Sequence, residues 1–251
     1  MIFPLTSSTT TTLEPALYIV ATPIGNLEDM TFRAVTTLRA ADCIACEDTR
    51  QTRKLLQHFA IDSKTLLSYH NFNERTASAK ILEFLQSGKS VALVSDAGTP
   101  VISDPGFFLV RAARDAGFRV VPIPGASALA AAVSVSPLPV NRFYFEGFLP
   151  QKKGRQTRLQ YLAELESSVV LYESPHRILK LLDELSAHFG DRQIMLAREM
   201  TKIYEEFLLG TIAEAKANLQ ERKIQGEFVV IVEGKNAKSK NETYENQDEN
   251  Y

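Results

Sequence analysis

Between Leu17 and Ile123, short apolar runs alternate with stretches of helical periodicity. The runs are LYIVAT (17–22), CIAC (43–46), LLSY (66–69), VALVS (91–95) and VVPI (120–123). Near-continuous apolar strands separated by helices cannot sit in a sheet with one wet face. They predict an α/β fold with a mostly parallel sheet covered on both sides. The helices expected between them are Asn26–Ala41, with Leu27, Ala34, Val35 and Leu38 turned inward, then Thr49–Phe59, Thr76–Ser87 and Pro105–Ala116. The most informative of the loops is VALVSDAGTPVISDPG (91–106), where a buried strand feeds two glycines, two prolines and three Asp or Ser turn residues after Ser95. Such a loop belongs at the end of a parallel strand, where α/β proteins bind small ligands.

Past Ile123 the pattern changes. Pro124 and Gly125 break the chain, and the small residues of Ala126–Val135 predict a closely packing helix before Pro137. Strands are then expected at Phe143–Gly147, Ser168–Tyr172, Gln193–Glu199, Tyr204–Gly210 and Glu227–Glu233. Helices are expected at Thr157–Leu165, Arg177–Phe189 and Ile212–Glu221, giving a mixed sheet. The domains predicted are a flexible lead-in (1–15), an N-terminal α/β domain (16–124), a C-terminal mixed α/β domain (125–234) and a disordered polar tail (235–251).

With 251 residues, 45% of them hydrophobic, the chain can bury one large core or two modest ones. A formal net charge of -2 argues against a protein that binds polyanions over its whole surface. The charge is uneven: residues 1–160 carry 17 basic and 13 acidic side chains, residues 161–251 carry 11 and 17. Cys43 and Cys46 are the only cysteines. On a strand, positions i and i+3 face opposite sides, so the C-x-x-C spacing predicts neither a zinc site nor a disulfide, and no structural metal is expected. Absence of a disulfide framework fits a reducing compartment. No run reaches the roughly 18 apolar residues of a membrane helix, and the Ser/Thr-rich N-terminus lacks a basic leader region. The reading is a soluble, cytoplasmic protein.

Several polar groups fall at strand ends. Thr22-Pro23-Ile24-Gly25-Asn26 follows the first strand, where a glycine allows close backbone approach, although a plain strand–helix turn accounts for it equally. Glu47, Asp48, Arg50, Arg53 and Lys54 crowd eight positions after the second strand. Either acid can cap the next helix, while the three cations share helical faces that suit phosphates. His70 and Asn71 follow the third strand. Asp96, Gly98, Thr99, Ser103 and Asp104 form the glycine/proline loop. It carries no lysine or arginine, so it suits a cationic or zwitterionic ligand better than a nucleoside triphosphate. Asp104 is also placed to cap the helix at Pro105. Arg142, Lys152, Lys153, Arg155 and Arg158 lie among Phe143, Tyr144, Phe145 and Phe148, as in a surface for unpaired RNA or as core aromatics beside a solvated loop. Glu173, His176, Arg177, Arg198 and Glu199 read as interdomain ion pairs or as chemistry.

LYIVATPIGNLEDMTFRA, CEDTRQTRKLL, SYHNFNE, VSDAGTPVISDPG, IPGASA, FYFEGFLP, YESPHR and GEFVVIVEG occur in order across residues 17–234. Together they resemble the bacterial small-subunit ribosomal RNA methyltransferase I family, within the tetrapyrrole methylase fold superfamily. The resemblance implies a two-domain enzyme, usually a homodimer, that binds S-adenosyl-L-methionine between its domains. It further implies 2′-O-methylation of a cytidine ribose in the decoding region of 16S rRNA, in the 30S subunit. Carried over residue by residue, Asp96, Gly98, Val101, Ile102, Ser127, Ala128, Tyr172 and Gly226 are cofactor contacts. Pro23 lies on the substrate side, with Asn26, Arg53, Lys54, Asn71, Lys152, Lys153 and Arg155 as RNA contacts. Two departures stand out: Ala126 and Pro137 replace the family's usual residues at two turns, and the chain runs into a polar tail after Gly234 where many relatives carry a helical appendage. RNA docking is therefore expected to rest on the first domain and the basic loop.

The chemistry so implied is an in-line displacement on an already activated methyl group, with removal of the ribose 2′-OH proton. Glu47, Asp48 and His70 are the candidate proton acceptors, and Arg50 a phosphate or ribose clamp. Two rivals stay open: a precorrin-type tetrapyrrole methyltransferase, which needs a larger, less basic trough, and a non-enzymatic ribosome-binding factor.

Overall fold

The computed structural model describes residues 12–62 and 64–236. The chain divides into two compact units between Ser127 and Ala128. Most of the expected lead-in (1–15) and of the expected tail (235–251) lies outside the described residues.

In the first unit, β1 (Ala16–Val20), β2 (Cys43–Cys46), β3 (Thr65–Ser68), β4 (Val91–Val94) and β5 (Arg119–Ile123) form one sheet in the order β3-β2-β4-β1-β5. Every pair is parallel. The helices are α1 (Phe32–Ala40), α2 (Thr49–His58), α3 (Glu74–Gln86) and α4 (Phe107–Asp115). Alternate strand residues feed two cores. Tyr18, Val20, Ile44, Cys46 and Val94 pack with Ala34 and Leu38 of α1 and Leu56 of α2. Leu17, Cys43, Ala45 and Leu93 pack with Ile81 and Leu85 of α3 and Leu109 of α4. The two cysteines thus point to opposite faces, both free and buried. Burial pushes the Cys43 thiol up to about 11, so it is inert.

This winding matters for the site. The helix after β4 takes the face opposite to the helices after β1 and β2, which flank β4 in the sheet. Connections that part in this way open a crevice above the strand ends.

The helix expected from Asn26 is two pieces. Asn26 caps only a 3₁₀ turn (Leu27–Asp29), its Oδ1 accepting the Glu28 N–H at 3.0 Å. Met30 is extended, and Thr31 caps α1 by accepting the Ala34 N–H at 3.1 Å. Leu27 is consequently 40% exposed, not inward. Similarly, α4 starts at Phe107 because Gly106 has φ 141°, and no side chain caps it. Asp104 is therefore not its cap.

The second unit holds β6 (Phe143–Phe148), β7 (Ser168–Glu173), β8 (Gln193–Arg198), β9 (Glu206–Thr211) and β10 (Phe228–Val232), in the order β6-β7-β10-β8-β9. Only β6–β7 is parallel, which makes the sheet mixed as expected. Its helices are α5 (Ala128–Ser134), α6 (Arg155–Ala163), α7 (Ile178–Phe189) and α8 (Ile212–Gln220). One core joins Leu159 of α6, Leu181 and Leu185 of α7 and Leu219 of α8 to Val169, Leu171, Leu196 and Val230 of the sheet.

Candidate active site

The loops at the C-terminal edge of the first sheet are tied to one another. Thr22 and Gly98 exchange backbone hydrogen bonds (2.9 and 3.0 Å), joining the turn after β1 to the loop after β4. Thr22 Oγ1 donates to the Ser95 carbonyl at 3.1 Å, and Thr99 Oγ1 to the Ala126 carbonyl at 3.0 Å. Within the β4 loop, Val101 (φ 78°) and Ser103 (φ 62°) hold left-handed backbone. That conformation costs a non-glycine residue about 1–3 kcal/mol and concentrates at functional loops. Its fold leaves no space at Gly106, where a Cβ would meet Val101 Cγ2 at 2.8 Å.

A second tie crosses to the loop after β3. Glu74 Oε1 accepts both the Tyr69 hydroxyl (3.1 Å) and the Gly106 N–H (3.0 Å). Asn73 holds that loop in shape, accepting the His70 N–H at 2.8 Å and donating to the Ser68 carbonyl at 3.0 Å. His70 Nδ1 is buried without a hydrogen-bond partner, and its ring meets Phe72 edge-on at 6.0 Å.

Carboxylates dominate the middle of this edge. Burial raises the Glu47 carboxyl, and the negative charge of Asp96 adds to it, with His70 opposing. Asp104 is pushed up to about 6, first by burial and then by Glu47, with a Ser95 hydrogen bond working the other way. Asp96 Oδ1 accepts the Asp48 N–H at 3.1 Å. Asp48 differs: it caps α2 by accepting the Arg50 N–H at 2.8 Å and pairs with the Arg50 guanidinium at 2.7 Å. Arg50 holds its carboxyl at about 2. A carboxylate that acidic is a poor proton acceptor at neutral pH.

Beside these groups lies a hollow of about 350 Å³, within the range of small-molecule sites. Pro23 and Gly25 after β1, Ser95 and Asp96 after β4, and Thr52, Lys54 and Leu55 of α2 are among its lining residues. Arg53 and Asn71 are exposed nearby in sequence but do not line it. The fold therefore gathers Pro23, Glu47, Asp48, Lys54, His70, Asp96, Gly98, Val101 and Ile102 at the ends of neighbouring strands. Asn26 is occupied as a cap. Ser127 ends the first unit and Ala128 opens α5.

In the second unit, Tyr172 packs its ring against Phe145 (5.2 Å) and Phe148 (5.6 Å). Gly226 (φ 85°) lies at the same sheet edge, three residues before Val229, the partner of Tyr172. A Cβ there would fall 2.1 Å from Glu199 Cγ, so this position excludes a side chain. Lys152 and Lys153 are exposed.

Arg155 corrects the sequence reading. It is 5% exposed and bound to Glu184 (2.6 Å), to the Pro150 carbonyl (3.0 Å) and, at 3.9 Å, to Glu173. It begins α6 and turns into the core toward α7, where a buried guanidinium requires carboxylate partners. It is no RNA contact. Arg158 is likewise committed, to Glu146 at 2.6 Å and to the Tyr161 ring at 4.9 Å. The ion pairs expected between domains lie within this unit: Glu173–Arg177 (2.7 Å), Arg198–Glu206 (2.9 Å) and Glu199–Lys202 (2.7 Å). Phe72 is the site residue that the sequence left unnamed, and Asp104 stood there only as a member of the loop and a cap for the next helix. The signals for them were a second acid in the β4 loop, after Asp96, and a lone aromatic in the polar HNFNE run.

Among the described residues, no helix is long and apolar enough to cross a membrane, and no group of three or more His, Cys, Asp or Glu is arranged to hold a metal ion. The family described as Tetrapyrrole (Corrin/Porphyrin) Methylases matches residues 16–216. Ribosomal RNA small subunit methyltransferase I of Halalkalibacterium halodurans is 52% identical over 223 residues, covering 88% of this chain and 77% of that protein. The protein of the same name from Xylella fastidiosa is 54% identical over 222 residues, covering 87% and 81%. The crystal structure of uroporphyrin-III C-methyltransferase from Thermus thermophilus, complexed with S-adenyl homocysteine, shares the fold. Its TM-score is 0.62 at 18% identity, with 87% of this chain and 97% of that one covered. The chain is a methyltransferase of the tetrapyrrole methylase family and belongs, within it, with the ribosomal RNA small subunit methyltransferase I proteins.

Proposed function

We propose that this chain transfers a methyl group from S-adenosyl-L-methionine to the 2′-oxygen of a cytidine ribose in the decoding region of 16S rRNA. The observation that carries the reading is an identity near 50%, over most of both chains, to proteins named ribosomal RNA small subunit methyltransferase I. The chemistry of the edge suits the cofactor. A sulfonium is cationic, and Glu47, Asp96 and Asp104 provide negative charge beside a loop without lysine or arginine. Gly98, Val101 and Ile102 would hold it from that loop, with Asp96, and the resemblance adds Ser127, Ala128, Tyr172 and Gly226. When bound, the cofactor supplies an activated methyl group.

The protein's own part is alignment and proton removal. Glu47 is assigned as the acceptor of the 2′-OH proton, because burial raises its carboxyl toward the working pH. Asp48 is assigned to fixing Arg50 at the start of α2, and Arg50, Arg53 and Lys54 to the phosphates. His70 and Asn71 flank the acceptor ribose. The resemblance also implies a homodimer, which sedimentation tests. The deciding experiment offers tritiated S-adenosyl-L-methionine to 30S subunits and to free 16S rRNA, then maps the label. Label on a cytidine 2′-oxygen is expected. Label on a base, or 30S binding without label, would overturn the reading.

A further inference from the structure

Among the described residues of the first unit, the exposed large apolar side chains are Leu27, Phe32, Phe72, Phe107 and Phe108. All five lie in or just after the connections that follow β1, β3 and β4, at the edge that carries the candidate site. Phe72 is the extreme case at 98% exposed. Leaving a phenylalanine in water forgoes the burial that stabilises other large side chains. The loop around it is nonetheless held by Asn73 and Glu74 through the four hydrogen bonds described above. A bare aromatic ring on a fixed loop is a preorganised contact surface.

Its surroundings select the occupant. The ring meets His70 edge-on, and His70 follows the end of β3, which pairs with the end of β2 just before Glu47, the assigned proton acceptor. Exposed cations are interleaved with these aromatics in sequence: Arg33 follows Phe32, Arg75 follows Phe72 by three, and α2 presents Arg50, Arg53 and Lys54. Alternating cations and bare rings suit single-stranded nucleic acid, with phosphates on the cations and bases on the rings. The carboxylates in the middle of the edge repel phosphate, which favours a base over backbone beside Phe72.

Resting on the function proposed above, we propose that Phe72 stacks on an unpaired base of the RNA, next to the methylated nucleotide, and so positions the acceptor ribose. The chain contains no tryptophan. Phe72→Trp therefore introduces a single reporter while keeping an aromatic face. Phe72→Ala is expected to raise KM for 30S subunits about 10- to 100-fold, with the affinity for S-adenosyl-L-methionine unchanged by calorimetry. Phe72→Leu, apolar but not aromatic, should behave like the alanine variant. Phe72→Trp should keep near-normal KM, and its fluorescence should be quenched by the RNA substrate. Wild-type KM in the alanine or leucine variant overturns the proposal, as does loss of self-association in sedimentation, which would make Phe72 a subunit contact. If the wild-type protein labels no RNA, the functional reading itself falls and takes this one with it. If it labels RNA and only the Phe72 variants are unaffected, Phe72 alone is misassigned.

Discussion

In the second unit, Arg155, Arg158, Arg177, Arg198 and Arg222 each hold a carboxylate at 2.6–2.9 Å. At the C-terminal edge of the first sheet, Glu47, Asp96 and Asp104 crowd together, and among the described residues none of them forms an ion pair. The same residue types therefore do opposite work. Charges that find partners tie neighbouring elements together, whereas Glu47 and Asp104, buried beside other acids, have their carboxyls raised and stay available to a ligand. A dense run of ionisable residues in the sequence does not distinguish the two outcomes.

That contrast is open to attack at its strongest point first. Glu47→Gln is expected to lower kcat for RNA methylation about 10²- to 10⁴-fold, with cofactor affinity retained by calorimetry. A variant with full kcat would remove Glu47 from proton transfer. On the other side, Arg155→Ala should destabilise the protein by about 3–5 kcal/mol in denaturant unfolding, because it strands Glu184 without its buried partner and leaves Glu173 to Arg177 alone. A shift within experimental error would mean that the second unit's pairs are ornamental.

Protonation sharpens the difference further. Asp104 titrates at about 6 when folded, against an ordinary 3.8. The folded protein thus binds this proton more tightly than the unfolded chain. Its contribution to stability is complete below pH 3.8 and is lost as pH rises through about 6. Asp104→Asn should therefore raise Tm at pH 8, with the gain fading by pH 4. A gain independent of pH would contradict this origin. The smallest effect belongs to the exposed turn of the second unit. Replacing Lys152 and Lys153 together by alanine should leave Tm unchanged and reduce the salt dependence of RNA affinity by about one per lysine. An unaltered salt slope would leave RNA contacts to the first unit.

The sheet of the first unit was legible because CIAC and VALV are apolar on both faces, and few folds bury such strands other than a covered parallel sheet. The opposite orientation of Cys43 and Cys46 followed from the two-residue period of a strand alone. The break in the helix at Met30 was harder to read. Asn26 and Thr31 are both good caps, and which one begins the main helix depends on the geometry of the turn after β1.

The candidate site was legible as a list of strand-end residues, because chain order and strand polarity bring those ends to one edge. Local sequence could not assign their roles. Asp48 and Glu47 are neighbours, yet the first is spent on a helix cap and the second is raised by burial. Arg155 reads like Lys153 two positions before it, yet one is buried in a carboxylate cage and the other faces water. Periodicity and turn chemistry are local, so the sequence by itself determined the strands, most helices and the edge where the loops meet. Protonation and pairing depend on groups tens of residues away, brought near only by packing, so the tertiary structure alone decided which charges are structural and which remain free to act.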